Sequence, residues 1–177
     1  ASDGTYYTDQ EFVFTITDTN DNAPIITSSG IYSVNENELI VGTVDVTDPD
    51  GGPLLFTFSE TGESNNLQID SSTGVISFIT IPSYEDGVTE FANTLIVRDT
   101  ERAHGGGGIT FYYDVTQSIF VNLVDVNEAP VFTSDSSFST DENTNSLDLG
   151  IVSAADEDGD SLTYSISGSD MTIDSLT

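Results

Sequence analysis

Oxygen donors crowd a few short stretches of this chain. Residues 18 to 24 read DTNDNAP, with two carboxylates and two carboxamides within five residues and then a proline. A second version, DVNEAP, stands at residues 125 to 130. Asp48-Pro49-Asp50-Gly51 and Asp156-Glu157-Asp158-Gly159 each set two carboxylates two residues apart in turn sequences. Carboxylates, carboxamides and main-chain carbonyls are hard ligands, and calcium takes roughly six to eight of them in flexible geometry. No imidazole or thiolate stands in these stretches, which argues against zinc. Without a cation, carboxylates ~4 Å apart repel by several kcal/mol at an effective dielectric of about 20. Such clusters therefore loosen when ion-free and stiffen when filled.

Catalysis finds little footing. His104 is the sole histidine and lies beside a glycine run, a poor place to hold a general base in register. Carboxylate pairs of the kind glycosidases use are present, but the conspicuous ones belong to the recurring clusters. No enzymatic activity is expected.

Composition narrows the partners. The chain has 177 residues, 31 of them acidic against two basic, and a formal charge of −29. Almost nothing is available to neutralise a phosphate, so nucleic acid and anionic membrane are not expected partners. Cations are. With 36% apolar residues in alternating runs, the chain is expected to fold rather than to behave as an acidic tail. Cysteine is absent, so disulfides and thiolate sites are excluded. No run approaches the ~18 apolar residues of a membrane span, and no direct membrane insertion is expected. The opening ASDGTYYTDQ has neither the basic nor the apolar region of a secretory signal.

The clusters recur in order. Asp18 to Asn22 returns as Asp125 to Ala129, 107 residues on. Asn35-Glu36-Asn37 returns as Asp141-Glu142-Asn143 at 106, and Asp48-Pro49-Asp50-Gly51 as Asp156-Glu157-Asp158-Gly159 at 108. Leu67-Gln68-Ile69-Asp70-Ser71 returns as Met171-Thr172-Ile173-Asp174-Ser175 at 104, and Ala1-Ser2-Asp3 resembles Val97-Arg98-Asp99. One period with ordered landmarks means a tandem array. The tail of one repeat spans 1–22, a complete repeat 23–128, and the first half of another 129–177.

The elements that must position the clusters read as β throughout. Short apolar or alternating runs fall at 31–34, 40–46, 54–58, 67–69, 75–79, 94–97 and 119–124, separated by turn clusters such as DPDGGP, SSTG and EDG. Seven short strands in one repeat predict an all-β, seven-stranded Greek-key sandwich. Counting by two along Phe12, Phe14 and Ile16 lands on Asp18, and along Ile119, Val121 and Leu123 on Asp125. The carboxylates thus begin where a core-facing stripe ends, at the pole of the sandwich.

This ordered set, with Ile69-Asp70-Ser71-Ser72-Thr73-Gly74 and Val97-Arg98-Asp99 between the clusters, resembles the cadherin repeat over essentially the whole chain. The resemblance implies calcium ions between successive repeats. At the first junction it implies ligation by Asn20, Asp21, Asp48, Asp50 and Asp99, with backbone oxygens of Thr19 and Asn22 assisting. At the second it implies Glu36, Glu85, Asn127, Glu128, Asp156 and Asp158. Ser83 stands where the family has an acid two residues before Glu85, and Glu128-Ala129 replaces the Asp-Asn pair of the linker. An EF-hand loop fits poorly. Asp156, Asp158 and Asp160 suit its first positions, but Ser161 replaces its glycine, Ser167 its glutamate, and no helices flank it.

Eight residues separate Asp3 from Phe12, whereas nineteen separate Asp99 from Ile119. The extra length, 100–113, predicts an elongated hairpin in which Ile109, Phe111, Tyr113 and Val115 alternate with more polar positions. A second reading is a ligand-binding loop using Phe111, Tyr112 and Tyr113, with Arg102 and His104 nearby.

The expected function is a calcium-binding, extracellular or cell-surface adhesion or extender segment, stiffened by ions between its repeats. Millimolar calcium outside cells fills weak sites that cytosolic levels leave empty. The lysine-free, acidic, Ser/Thr-rich composition and the DVNEAP linker look closer to microbial cadherin-like surface adhesins than to animal ones. Partners are calcium, neighbouring repeats, like molecules or a surface polysaccharide. The alternatives are a carbohydrate-binding module and a filament or surface-layer subunit assembling by strand complementation.

Overall fold

The computed structural model describes residues 2, 4–16, 19–59, 66–101, 103–104, 110–143, 148–168 and 170–174. Asp18, Arg102, the glycines at 105–108 and Ile109 lie outside that set, as do the side chains of His104 and Phe111. Thirteen strands follow in chain order. The first seven are β1 (Ile25–Ile26), β2 (Ile31–Asn35), β3 (Ile40–Thr43), β4 (Val46–Thr47), β5 (Leu54–Phe58), β6 (Leu67–Ile69) and β7 (Val75–Phe78). Then come β8 (Glu90–Asp99), β9 (Ala103–His104), β10 (Thr110–Phe111), β11 (Asp114–Val124), β12 (Val131–Phe132) and β13 (Ala154–Ala155).

Seven of these build a sandwich. One sheet has the order β2-β11-β8-β5, the other β3-β7-β6. Neighbours distant in sequence, with β2 parallel to β11, give the crossovers of a Greek key. Side chains alternate across each strand, so every second residue turns inward. On β8 these are Phe91, Leu95 and Val97, and on β11 Ile119, Val121 and Leu123, all buried. They meet Leu67, Ile76 and Phe78 of the facing sheet in one core. Phe78 and Phe91 close the gap edge-on, with ring centres 5.1 Å apart.

Three details differ from the strand pattern. The run 40–46 is not one strand: β3 pairs with β7, while β4 pairs with β1. Between them Val44 turns inward and donates to the Gly74 carbonyl, and the Asp45 carbonyl accepts from Thr27 and Ser28, so the chain changes partner. The runs 94–97 and 119–124 lengthen to 90–99 and 114–124, because β8 and β11 pair continuously from Asp114↔Arg98 to Asn122↔Glu90. Phe12, Phe14 and Ile16, expected on a core-facing stripe, are instead 69%, 89% and 96% exposed and lie outside any strand. Alternation supplies an apolar face, but a face is buried only when another sheet meets it, and no described segment does so there.

The repeat is visible in local geometry. The β12–β13 pair copies β1–β4, and Thr133 and Ser134 bond the Ser153 carbonyl as Thr27 and Ser28 bond that of Asp45. Asn37 and Asn143 share a left-handed backbone (φ 62° and 63°), a conformation that asparagine tolerates better than most residues.

The turn 70–74 shows how one side chain sets a strand connection. Asp70 Oδ1 accepts from the Ser72 and Thr73 amides at 3.0 and 2.8 Å and from both hydroxyls at 2.8 and 2.9 Å. The Ser72 hydroxyl, then the other three donors, hold its carboxyl well below the usual range. A depressed folded-state value stabilises above the ordinary aspartate pKa and is lost as pH falls through the folded value. Asp70→Ala is expected to lower the urea midpoint at neutral pH, with the gap to the parent protein narrowing by about pH 2.

Candidate metal centre

Core stripes run out into carboxylates. Two residues past Val97 is Asp99, which is 0% exposed; two past Val34 is Glu36, at 2%. Two past Leu123 is Asp125. The strand period therefore carries acids to the edge of the core. Burying an ionised carboxylate costs several kcal/mol unless donors or an opposite charge meet it.

At one pole lies the first group. Asp50 takes the amides of Asp21 (2.9 Å) and Asn22 (2.6 Å) on Oδ2 and the Asn22 carboxamide (2.7 Å) on Oδ1. The Asn22 side chain and then its amide hold Asp50 below the ordinary carboxylate range. Asp48 Oδ1 accepts the Asp50 amide at 3.2 Å, an Asx turn that fixes their spacing. Asp99 accepts from the Asn20 carboxamide and from the Glu101 amide (2.9 Å). Asn20, Asp21, Asn22, Asp48, Asp50 and Asp99 are thus linked, directly or through one neighbour, into two adjoining sets.

The second group lies at the opposite pole. Carboxylate oxygens of Glu36, Glu85 and Asp125 all lie within 4.8 Å of one another. Glu36 is held by the amides of Tyr84 and Val126, each at 2.8 Å. The Tyr84 amide, with that of Val126, keeps its carboxyl below the usual value despite burial. Asp125, although solvent-exposed, is pushed up by partial desolvation among its neighbours and then by the charges of Asp158, Glu85 and Glu36. Glu128 is pushed up by burial and then by Glu36, Asp158 and Glu85. The Glu128 amide donates to Asp158 at 2.8 Å, copying the Asp21–Asp50 bond, and Asn37 donates to Glu128 Oε1 at 2.7 Å. Asn127 turns its carboxamide to the Glu128 carbonyl at 3.0 Å, and Asp156 accepts its own turn's Asp160 amide at 3.1 Å.

Among the described residues, buried Asn20 Oδ1, Asp48 Oδ2 and Glu128 Oε2 accept no hydrogen bond. All three are acceptors that no amide or hydroxyl satisfies, each beside further carboxylates. A hard cation fits such a donor set, whereas protein donors leave it incomplete.

Asp125 belongs to this cluster although the linker comparison did not pick it out as a ligand. Its signal was the core stripe that ends on it. Ser83, standing where an acid was expected, donates to Glu85 (2.9 Å) and Glu157 (3.3 Å), so it spaces two acids instead of adding one. In the insertion, β9 and β10 pair antiparallel, as an elongated hairpin requires. Tyr113 turns its hydroxyl to the Asp21 carbonyl (3.0 Å), and Tyr112 lies 5.8 Å beneath the Arg98 guanidinium.

A tandem β-sandwich with acid-rich linkers is the class that fold and site define. Its sequence relatives are cadherin-domain proteins, and the chain is cadherin-like. It is 33% identical over 121 residues to protocadherin gamma-B4 of Pan troglodytes, covering 64% of this chain and 12% of that protein. It is 29% identical over 184 residues to human protocadherin Fat 4, covering 96% of this chain and 4% of that protein. The chain thus spans a small part of these relatives. No family model matches it. The human desmocollin-1 ectodomain superposes with a TM-score of 0.49 at 26% identity, covering 80% of this chain and 28% of that one. The relatives named are animal proteins, and none of them bears on the microbial likeness of the composition and the DVNEAP linker.

Glu36 provides a test of the second group. The Tyr84 amide, against burial and with the Val126 amide beside it, holds its pKa down. Glu36→Ala is therefore expected to destabilise the ion-free protein by about 1–3 kcal/mol in urea denaturation, because two amides lose their acceptor. A variant as stable as the parent would mean that relief of repulsion dominates.

Proposed function

We propose that this chain is a calcium-stiffened extender or adhesion segment of an extracellular protein, with a complete repeat over 23–128 and junctions at 18–22 and 125–130. The observation that carries the reading is the set of buried oxygens without donors among the described residues, Asn20 Oδ1 and Asp48 Oδ2 at the first pole and Glu128 Oε2 at the second, where Glu36, Glu85 and Asp125 converge. A bound calcium ion supplies the positive charge that these oxygens lack. Asn20, Asp21, Asn22, Asp48, Asp50 and Asp99 would hold it at the first junction. Glu36, Glu85, Asp125, Asn127, Glu128, Asp156 and Asp158 would do so at the second.

The residues divide the work. The core of each sandwich carries its folding, whereas the linker residues bring oxygens from two sides of a junction together. Ion-free, the acids at the second junction repel, and the linker is their natural point of relief. Filled, the same acids resist bending, which suits a protein that projects a binding surface away from a cell. The cadherin-domain relatives support the adhesion setting, and the millimolar calcium found outside cells suits oxygen-only sites.

Calcium titration by calorimetry, followed by melting and small-angle scattering, tests this. Saturable uptake, a more extended particle and stabilisation of about 2.7 kcal/mol at a hundredfold excess over Kd are expected, with magnesium doing much less. No uptake at millimolar calcium would overturn the reading. Glu85→Gln should act with opposite signs. It stabilises the ion-free protein by relieving the trio, and it weakens calcium binding at the second junction by about tenfold through loss of a charged ligand.

A further inference from the structure

The insertion between β8 and β11 does more than extend a hairpin. Its stem is braced where Arg98 forks onto Asp114 with two bonds of 2.7 Å, and its far strand is tied to β8 where the Tyr113 carbonyl accepts the Asp99 amide at 2.9 Å. From that fixed point the Tyr113 hydroxyl reaches the Asp21 carbonyl at 3.0 Å. That carbonyl and the Asn22 N–H belong to the same planar peptide unit and point in opposite directions across it. The other end of the unit, the Asn22 N–H, donates to Asp50 Oδ2 at 2.6 Å. One peptide plane is therefore gripped at both ends, by the hairpin on one side and by the Asp48–Asp50 turn on the other. The hairpin holds the linker a second time, since the Asn20 carboxamide donates to the Glu101 carbonyl at 3.1 Å as well as to Asp99.

We propose that Tyr113 is a positioning residue for the first junction: its hydroxyl sets the Asp21–Asn22 peptide plane, so that the linker is already docked on Asp50 through the Asn22 N–H before any ion arrives. Its effect on ion binding rests on the calcium reading above; the grip on the linker does not. Asp99 and Ile119 are separated by nineteen residues where Asp3 and Phe12 are separated by eight, and Tyr113 is the last residue of the segment between β8 and β11. The junction it braces is thereby pre-assembled, and binding there pays less to order the linker.

Amide exchange in the full chain, stripped of ions with a chelator, tests the grip directly. In Tyr113→Phe the Asn22 amide is expected to exchange about two- to tenfold faster, the range that one lost hydrogen bond gives. The core amide of Leu95 and the second-linker amide of Glu128 should stay unchanged. Tyr112→Phe, which keeps its ring under Arg98, should leave Asn22 at the parent rate. Unchanged Asn22 exchange in Tyr113→Phe, or equal acceleration in both variants, would overturn the proposal. Calcium titration of Tyr113→Phe then gives the second arm, with first-junction affinity expected to fall by a similar factor. Faster Asn22 exchange with no calcium uptake in the parent chain would sink the calcium reading and leave the grip standing; faster exchange with unaltered first-junction affinity would overturn the positioning role.

Discussion

Everything at the poles depends on buried carboxylates that close the core stripes. A β-strand turns every second residue inward, so a stripe must end on something. On β8 and β2 it ends on Asp99 and Glu36, both almost completely inaccessible to solvent. An acid in that position is tolerable only if its charge is answered. Glu36 is answered by two amides and Asp99 by an amide and a carboxamide, yet among the described residues neighbouring oxygens of Asp48, Asn20 and Glu128 have no donor. The molecule has almost no basic side chains to spare, and its one described ion pair, Arg98 with Asp114, is spent on the hairpin.

The two linkers solve the same problem unequally. In the first, Asn22 donates through both its amide and its carboxamide to Asp50. In the second, Ala129 occupies the corresponding place, so the carboxamide bond has no counterpart. Glu128 keeps the amide bond to Asp158 but adds a longer acid to a crowded group. Hydrogen-bond donors hold one set of acids together, while like charges press on the other. Small changes of residue type thus alter how the acids of each linker are held.

Much of the fold was legible. Runs such as Leu54–Phe58 and Leu67–Ile69 became strands at the same residues, because short alternating runs between strong turn sequences leave few other options. The split at Val44 was not legible, since it arises from a change of pairing partner that no single run encodes. Nor was the exposure of Phe12, Phe14 and Ile16, whose alternation is as good as that of β11 but which no described sheet covers. In the site, the residue types and order of the linkers pointed to the acids, whereas the parts of Ser83, Glu157 and Tyr113 depend on contacts across 74 and 92 residues of chain.

By itself, the sequence determined the strand period, the turn positions, the repeat and the supply of hard oxygen ligands, because each is written in residue types a few positions apart. Only the tertiary structure decided which acids meet. Glu36, Glu85 and Asp125 come from three separate segments and converge because β2 and β11 run parallel and end at the same pole, beside the loop that leads into β8. Convergence of that kind follows from pairing and register, which are properties of the folded chain and not of any one stretch of it.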